Sequence, residues 1–454
     1  MRFPFIGAMA LATCAASAAA QTSIANLPPI RRIDKADAAL DSVFTTVSVV
    51  RTLSSGKLLV LDVRGQRIGL LEPDLRSMRM IADTGGKAPI PFLGVGGFIP
   101  GRADTTFFVD TRSLALVSID RDGKFGRAMA IPSAASGAAL SGGTRGFPGF
   151  DARGRLVFRG QFPIPPLPSV GSDGFVEMPV ADLPHPLVRL DLSSRVLDTV
   201  ANLRSAPSQM AFQRDPEGRA SIYSTDNPLP VADDWAVLPD GTIAVVRVMD
   251  YHVDYYGADG RVRAGPKLPW DWQRLDDAMK VAFIDSVKTN MMRIDPSREY
   301  IVADSKERAP AAMFGLGLDG KPLSSNRGVS EEASGSMGAP PPRTAGVAAS
   351  APPRPRPVFL MSPDKLPDYA PPFAPGAVRV DGAGKLWIRT STSFDGASLY
   401  HVVDTEGRLV DRVLVPAGRV IVGFGTNGSV YLAVRSGPGT RLERITVPGA
   451  SRAQ

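Results

Sequence analysis

The chain has 454 residues, 44% of them apolar and 21% charged, with 45 glycines, 41 prolines and a formal net charge of +7. That mixture belongs to a globular protein built from many short elements and turns. The positive balance contains no block of about five or six consecutive basic residues and no basic face interleaved with aromatics, which argues against a nucleic-acid partner.

The first twenty residues read as an export signal. Arg2 supplies the positive start, residues 3–16 are apolar and small, and Ala18-Ala19-Ala20 before Gln21 is an A-x-A cleavage site. The expectation is an exported protein, periplasmic or extracellular. Leu11-Ala12-Thr13-Cys14 is the alternative, a lipoprotein signal with anchoring at Cys14. Cys14 is the one cysteine, so a mature chain starting at Gln21 has neither a disulfide framework nor a thiolate metal site. No later stretch reaches the ~18 apolar residues of a membrane helix.

From residue 55 onward one unit recurs: a turn with glycine, an apolar strand, a second strand, another turn and a third strand. Ser55-Gly56-Lys57 leads into 58–61, then 67–71 and 78–82. The next copies begin at 106–109 and at 155–158 after Gly154. The fourth is the most complete, with strands at 235–238, 242–246, 251–255 and 262–268 punctuated by Pro239-Asp240-Gly241 and Asp259-Gly260. A fifth runs over 377–415 and a sixth over 420–447, the last lacking a fourth strand.

Equivalent strand starts fall at Leu58, Phe107, Leu156, Ile243, Leu386 and Val430, at intervals of 49, 49, 87, 143 and 44 residues. The short intervals match one four-stranded propeller blade of ~40–50 residues. Insertions account for the long ones. They are expected at 161–186 and 205–230, at a helix over 272–291 with Leu275, Met279, Ala282, Phe283 and Val287 on one face, and at a Pro-, Ala- and Ser-rich segment over 306–357 that cannot offset its ordering entropy. The fold class is therefore all-β: a single six-bladed β-propeller of four-stranded antiparallel blades over 21–454 with one inserted helix. Residues 29–33 are expected to close the ring by supplying the missing strand of the last blade.

The quoted units resemble the secreted six-bladed propellers of the NHL and TolB-like superfamily. Two segments carry the resemblance: 235–260, with Trp235 ahead of Pro239-Asp240-Gly241, and Pro371-Pro372-Phe373 ahead of Leu386-Trp387-Ile388-Arg389. It covers roughly 28–449 outside the 306–357 insert and implies fold more than function. Propellers of this class include binding scaffolds, lyases and lactonases. The branch similar to gluconolactonase and regucalcin holds a divalent cation with Glu, Asn and Asp in the channel, and no residues of this sequence are assigned to that set.

Chemistry-bearing motifs are sparse. His185, His252 and His401 sit in different repeats without partners at metal-ligand spacing. His252 shares a strand face with Asp254, a pairing suited to a strand-face hydrogen bond or a general base. Asp120-Arg121-Asp122-Gly123 opens like a calcium loop, but Ile131 stands at the twelfth position, where a bidentate Glu belongs. No cofactor is predicted, and calcium is the one kept open.

The second strands of the six copies end at Asp62, Asp110, Arg159, Arg247, Arg389 and Arg435. If these equivalent positions face one channel mouth, they form a polarised ring suited to an anionic ligand, with Tyr251 and His252 beside it. The expected function is a monomeric binding or scaffold module for a small anion, peptide or glycan, with no catalytic residue. The alternative is a metal-dependent lactonase- or lyase-like enzyme.

Overall fold

The computed structural model describes residues 27–447 apart from 41–43, 85–89, 92–93, 95, 132, 144–145, 162–169, 174, 178–179, 182, 215–219, 305–307, 311–320, 322–356 and 438. The export signal, Cys14 and most of 306–357 lie outside the described residues.

The chain is a six-bladed β-propeller. Blade one consists of Val47–Thr52, Leu58–Asp62, Arg67–Leu71 and Met78–Asp83, with Ile90–Pro91 added in parallel at its outer edge. Blade two is Phe98–Pro100, Thr106–Asp110, Ala115–Ile119 and Phe125–Ala130; blade three is Gly149–Phe150, Leu156–Arg159, His185–Leu190 and Leu197–Leu203. Blade four is Asp234–Val237, Ile243–Arg247, His252–Tyr256 and Val262–Ala264. Blade five is Phe373–Val380, Leu386–Phe394, Ala397–Val403 and Leu409–Val415. Blade six contributes Arg419–Phe424, Ser429–Ser436 and Gly439–Thr446.

Runs such as Leu58, Leu59, Val60 and Leu61 are buried along their whole length because both faces of a blade are covered. Leu58 and Val60 pack toward blade six while Leu59 and Leu61 pack toward blade two. Alternation in a strand sends neighbours to opposite faces, so a doubly covered strand must be apolar throughout. Six apolar layers result, one between each pair of adjacent blades. Trp235 lies in the layer between blades three and four, and Trp387 in that between blades five and six.

Ring closure does come from the N-terminal side, though through a different segment from the expected one. Ile30–Arg32 pairs in parallel with Leu409–Val415 and extends blade five. Ala38–Ala39 supplies the fourth strand of blade six, antiparallel to Gly439–Thr446. The ladder continues through Leu40 and Phe44, whose amides donate to Leu442 and Thr440, and both side chains enter the apolar layer between blades six and one. The seam is tight: a Cβ on Gly423 would stand 2.4 Å from the Val50 carbonyl oxygen.

The insertions fold onto one another beside the ring. Phe175–Glu177 pairs with Arg308–Pro310, so that part of 306–357 is a strand. Val180–Ala181, Ser208–Arg214 and Ala220–Ser224 form a three-stranded sheet where a polar stretch was expected, and Tyr300–Val302 pairs with Val358–Leu360. The inserted helix spans Asp277–Ile294, capped by Asp276, whose carboxylate accepts the Met279 amide. Its inward face is Lys280, Phe283, Ile284, Val287 and Met291, whereas Met279 is exposed. No helix among the described residues is long and apolar enough to cross a membrane.

Candidate functional site

The six innermost strands surround a channel. At the mouth where each turns into the second strand of its blade, they enclose a cavity of about 770 Å³. Phe98, Phe147, Phe150 and Phe424 give it aromatic walls, and Arg51 and Arg379 bring guanidinium groups.

Arg51 and Arg379 occupy the same repeat position, five residues before the turn residues Gly56 and Gly384. Ile99, Gly149, Ala236 and Gly423 hold that position in the other blades. Arg379 lies 3.9 Å from the centroid of the Phe147 ring, and its Nη1 donates to the Gly376 and Val378 carbonyls at 2.8 and 3.0 Å. Arg51 reaches the Gly101 carbonyl at 3.5 Å through Nη2, while its Nε is buried without a partner among the described residues. Loss of hydration lowers both guanidinium groups to about 10, against the opposing pull of Asp104 on Arg51 and of Tyr400 and Asp234 on Arg379.

Asp234, 2% exposed at the start of the innermost strand of blade four, pins that strand to blade five. Its carboxylate accepts the Trp235 and Val378 amides, each at 2.9 Å. Burial raises it to about 6 despite those two hydrogen bonds.

The carboxylates lining the channel are already engaged. Asp151 accepts the Arg153 and Arg155 amides and Nε of Arg155; Asp240 accepts the Thr242 amide and hydroxyl. Asp381 accepts the Ala383 and Lys385 amides and the indole N–H of Trp387. Among the described residues no three His, Cys, Asp or Glu side chains group to hold a metal ion. The divalent cation implied by the gluconolactonase-like resemblance does not fit this lining, where Asp151, Asp240 and Asp381 each already accept hydrogen bonds within their own turn and Arg51 and Arg379 add positive charge.

The second-strand positions lie elsewhere, and none of Asp62, Asp110, Arg159, Arg247, Arg389, Arg435, Tyr251 and His252 lines the cavity. The second strand runs antiparallel to the first, so its end reaches the opposite mouth. Asp62 is fully buried and accepts the Thr45, Thr46 and Gly65 amides and Nε of Arg67, all within 2.9 Å. Asp110 accepts the Arg112 and Ser113 amides and the Ser113 hydroxyl.

Arg247 and His252 are brought together. Arg247 donates to Asp254 (2.8 Å), Asp233 (2.9 Å), the Asn202 carbonyl (2.9 Å) and the Tyr256 hydroxyl (2.8 Å), and His252 Nε2 meets the other oxygen of Asp254 at 3.2 Å. Desolvation pulls the Arg247 guanidinium down, but the hydrogen bonds to Asp254 and Asp233 outweigh it and hold the group above its ordinary range. Tyr251 points away, buried in the layer between blades four and five. Arg159, Arg389 and Arg435 sit in the ladder opposite Leu187, Tyr400 and Thr440. The channel arginines were missed because the repeat was scanned along second strands; the same scan along first strands finds both.

No family model matches the chain, and no curated protein matches it in sequence. Solved structures similar to it include virginiamycin B lyase from Staphylococcus aureus, at 9% identity over 89% of this chain and 96% of that one, with a TM-score of 0.34. A gluconolactonase from Xanthomonas campestris aligns at 12% identity over 92% and 97%, with a TM-score of 0.35. The calcium-binding protein regucalcin from Agrobacterium tumefaciens aligns at 9% over 92% and 97%, with a TM-score of 0.36. Likenesses this loose carry no argument about activity.

Proposed function

We propose that this propeller is a binding module for a small organic anion with a planar or apolar body, taken into the channel at the turn mouth. The observation that carries the reading is the placement of Arg51 and Arg379 at one repeat position, both partly desolvated, in a cavity whose carboxylates are bound to turn amides. A cation withdrawn from water is costly until an anion pairs with it, and guanidinium groups pair with carboxylates through two parallel hydrogen bonds. The phenyl walls suit a flat ring or a sugar face. Metal-dependent lactonase or lyase chemistry is the less favoured reading, because each lining carboxylate serves its own turn and no three such groups converge among the described residues. Export is part of the proposal, supported by Arg2, the apolar stretch 3–16 and Ala18-Ala19-Ala20.

The test is calorimetric titration of the full chain with benzoate and glucuronate, with benzamide as the uncharged control. The wild type binds at least one of the acids saturably and benzamide more weakly, and Arg51→Gln or Arg379→Gln weakens that acid by about tenfold or more, the worth of one charge-assisted hydrogen bond. Equal binding of benzamide, or unchanged affinity in both variants, overturns the proposal.

A further inference from the structure

A second cavity, of about 440 Å³, opens away from the channel, where strands of blade five meet the connection from blade four. His401 and Arg412 both line it, and they stand opposite each other in the antiparallel pairing of Ala397–Val403 with Leu409–Val415.

The protons of this pair can be placed. The Tyr251 hydroxyl lies 3.0 Å from His401 Nδ1, and it has no other hydrogen-bond partner among the described residues. A buried hydroxyl satisfies its hydrogen by donating it. Burial raises the Tyr251 phenol above its ordinary range and, with Arg412 nearby, lowers His401 to about 4, so both are neutral near pH ~7. Nδ1 therefore accepts, and Nε2 carries the proton. Arg412 donates Nε to the Pro28 carbonyl at 2.6 Å, leaving its terminal nitrogens without an acceptor among the described residues. Trp270 lines the same cavity, and its indole N–H is buried without a partner among the described residues. An orphaned donor of this kind is a desolvation cost that a bound oxygen removes. Asp271 is the one carboxylate of the lining and is exposed. Leu399 and Phe394 supply apolar wall.

We propose that this cavity binds a short aliphatic carboxylate, its head held by Nε2–H of His401 and the terminal nitrogens of Arg412 and its chain lying against Leu399 and Phe394. Tyr251 is a positioning residue that fixes the imidazole tautomer. The site is independent of the channel reading.

Hexanoate is the probe, followed by calorimetry and by the ¹⁵N resonances of the histidine rings in the full-length protein. Titrating the wild type gives saturable binding and moves the His401 Nε2 resonance, a readout that needs no variant to fold. Arg412→Gln weakens hexanoate by about tenfold or more, and Tyr251→Phe both weakens it and shifts His401 between tautomers. In the double variant Arg51→Gln/Arg379→Gln hexanoate still moves the His401 Nε2 resonance. A His401 resonance that hexanoate leaves in place, that responds as before in Arg412→Gln, or that stops responding in the channel double variant each overturns the proposal; the last assigns hexanoate to the channel.

Discussion

Replacing Asp234 by asparagine changes how stability depends on pH, and the sign follows from two buried groups that titrate in opposite senses. Asp234 has an ordinary value of 3.8 and is raised to about 6 in the fold by burial. Its protonated form is therefore favoured in the native state, and this contribution is complete below its unfolded value and lost as pH rises through the folded one. About two pH units at ~1.4 kcal/mol each make it about 3 kcal/mol. His401 falls from 6.5 to about 4, again through burial. Its neutral form is favoured, so its contribution is present above the unfolded value and lost as pH falls through the folded one, again by about 3 kcal/mol. In the wild type the two slopes oppose each other over nearly the same window. Asp234→Asn removes one of them and also replaces an oxygen that accepts the Trp235 or Val378 amide, a pH-independent loss of about 1–3 kcal/mol. Urea unfolding across about pH 4 to 7 measures the stability of the variant minus that of the wild type. The difference should climb by about 3 kcal/mol between pH ~4 and ~6 and then level off. A flat difference would refute the assignment of a raised carboxyl to this seam.

Arg247→Ala should unsettle the fold rather than a ligand, because it strips Asp233 and Asp254 of their cation at once. With the arginine side chain 22% exposed, the loss should be about 2–3 kcal/mol in urea unfolding, below the range for fully buried pairs. An unchanged midpoint would return Arg247 to the ligand-binding candidates. Gly423→Ala places a methyl group against the Val50 carbonyl between blades six and one. Backbone cannot yield as a flexible side chain can, so the melting temperature should drop by several degrees, about 1–3 kcal/mol of overpacking. Unaltered melting would mean that the seam is looser than its geometry.

The ring was legible because it is written redundantly. Runs such as 58–61 and 243–246 are apolar on both faces, and the turn glycines at 56, 154, 241, 384 and 428 all adopt positive φ, which fixes the repeat phase at the sequence level. The closing strand was less legible. Ala38–Ala39 is two residues long and carries no β-branched signal, whereas Ile30–Arg32 looks more like a strand and is one, paired to the neighbouring blade instead. The helix was found with its face rotated. Periodicity selects Leu275 and Met279, but Leu275 precedes the helix, and the partner surface of Leu229, Val302, Leu360, Met361 and Leu366 takes Ile284 while Lys280 pairs with Asp368 at 2.6 Å. A small satellite core constrains rotation weakly, so a face read from periodicity alone misjudges the contact.

For the site, the deciding property is strand direction. Asp62 and Arg51 are both near a strand end in blade one, yet antiparallel pairing sends one to each mouth, and nothing in the composition of either strand says which mouth holds the cavity. What separates them is competition for their polar atoms. A carboxylate two or three residues before amides that need an acceptor, as Asp62 is to Gly65 and Asp110 to Arg112 and Ser113, is taken up by its own turn. A guanidinium carries five donors, so a local claim such as that of the Gly376 and Val378 carbonyls on Arg379 does not consume it. In this ring Arg419 of the innermost strand of blade six is taken by Glu443, whereas the Arg51 and Arg379 position faces the channel cavity and outranks the acidic turn positions as the place to look for a ligand.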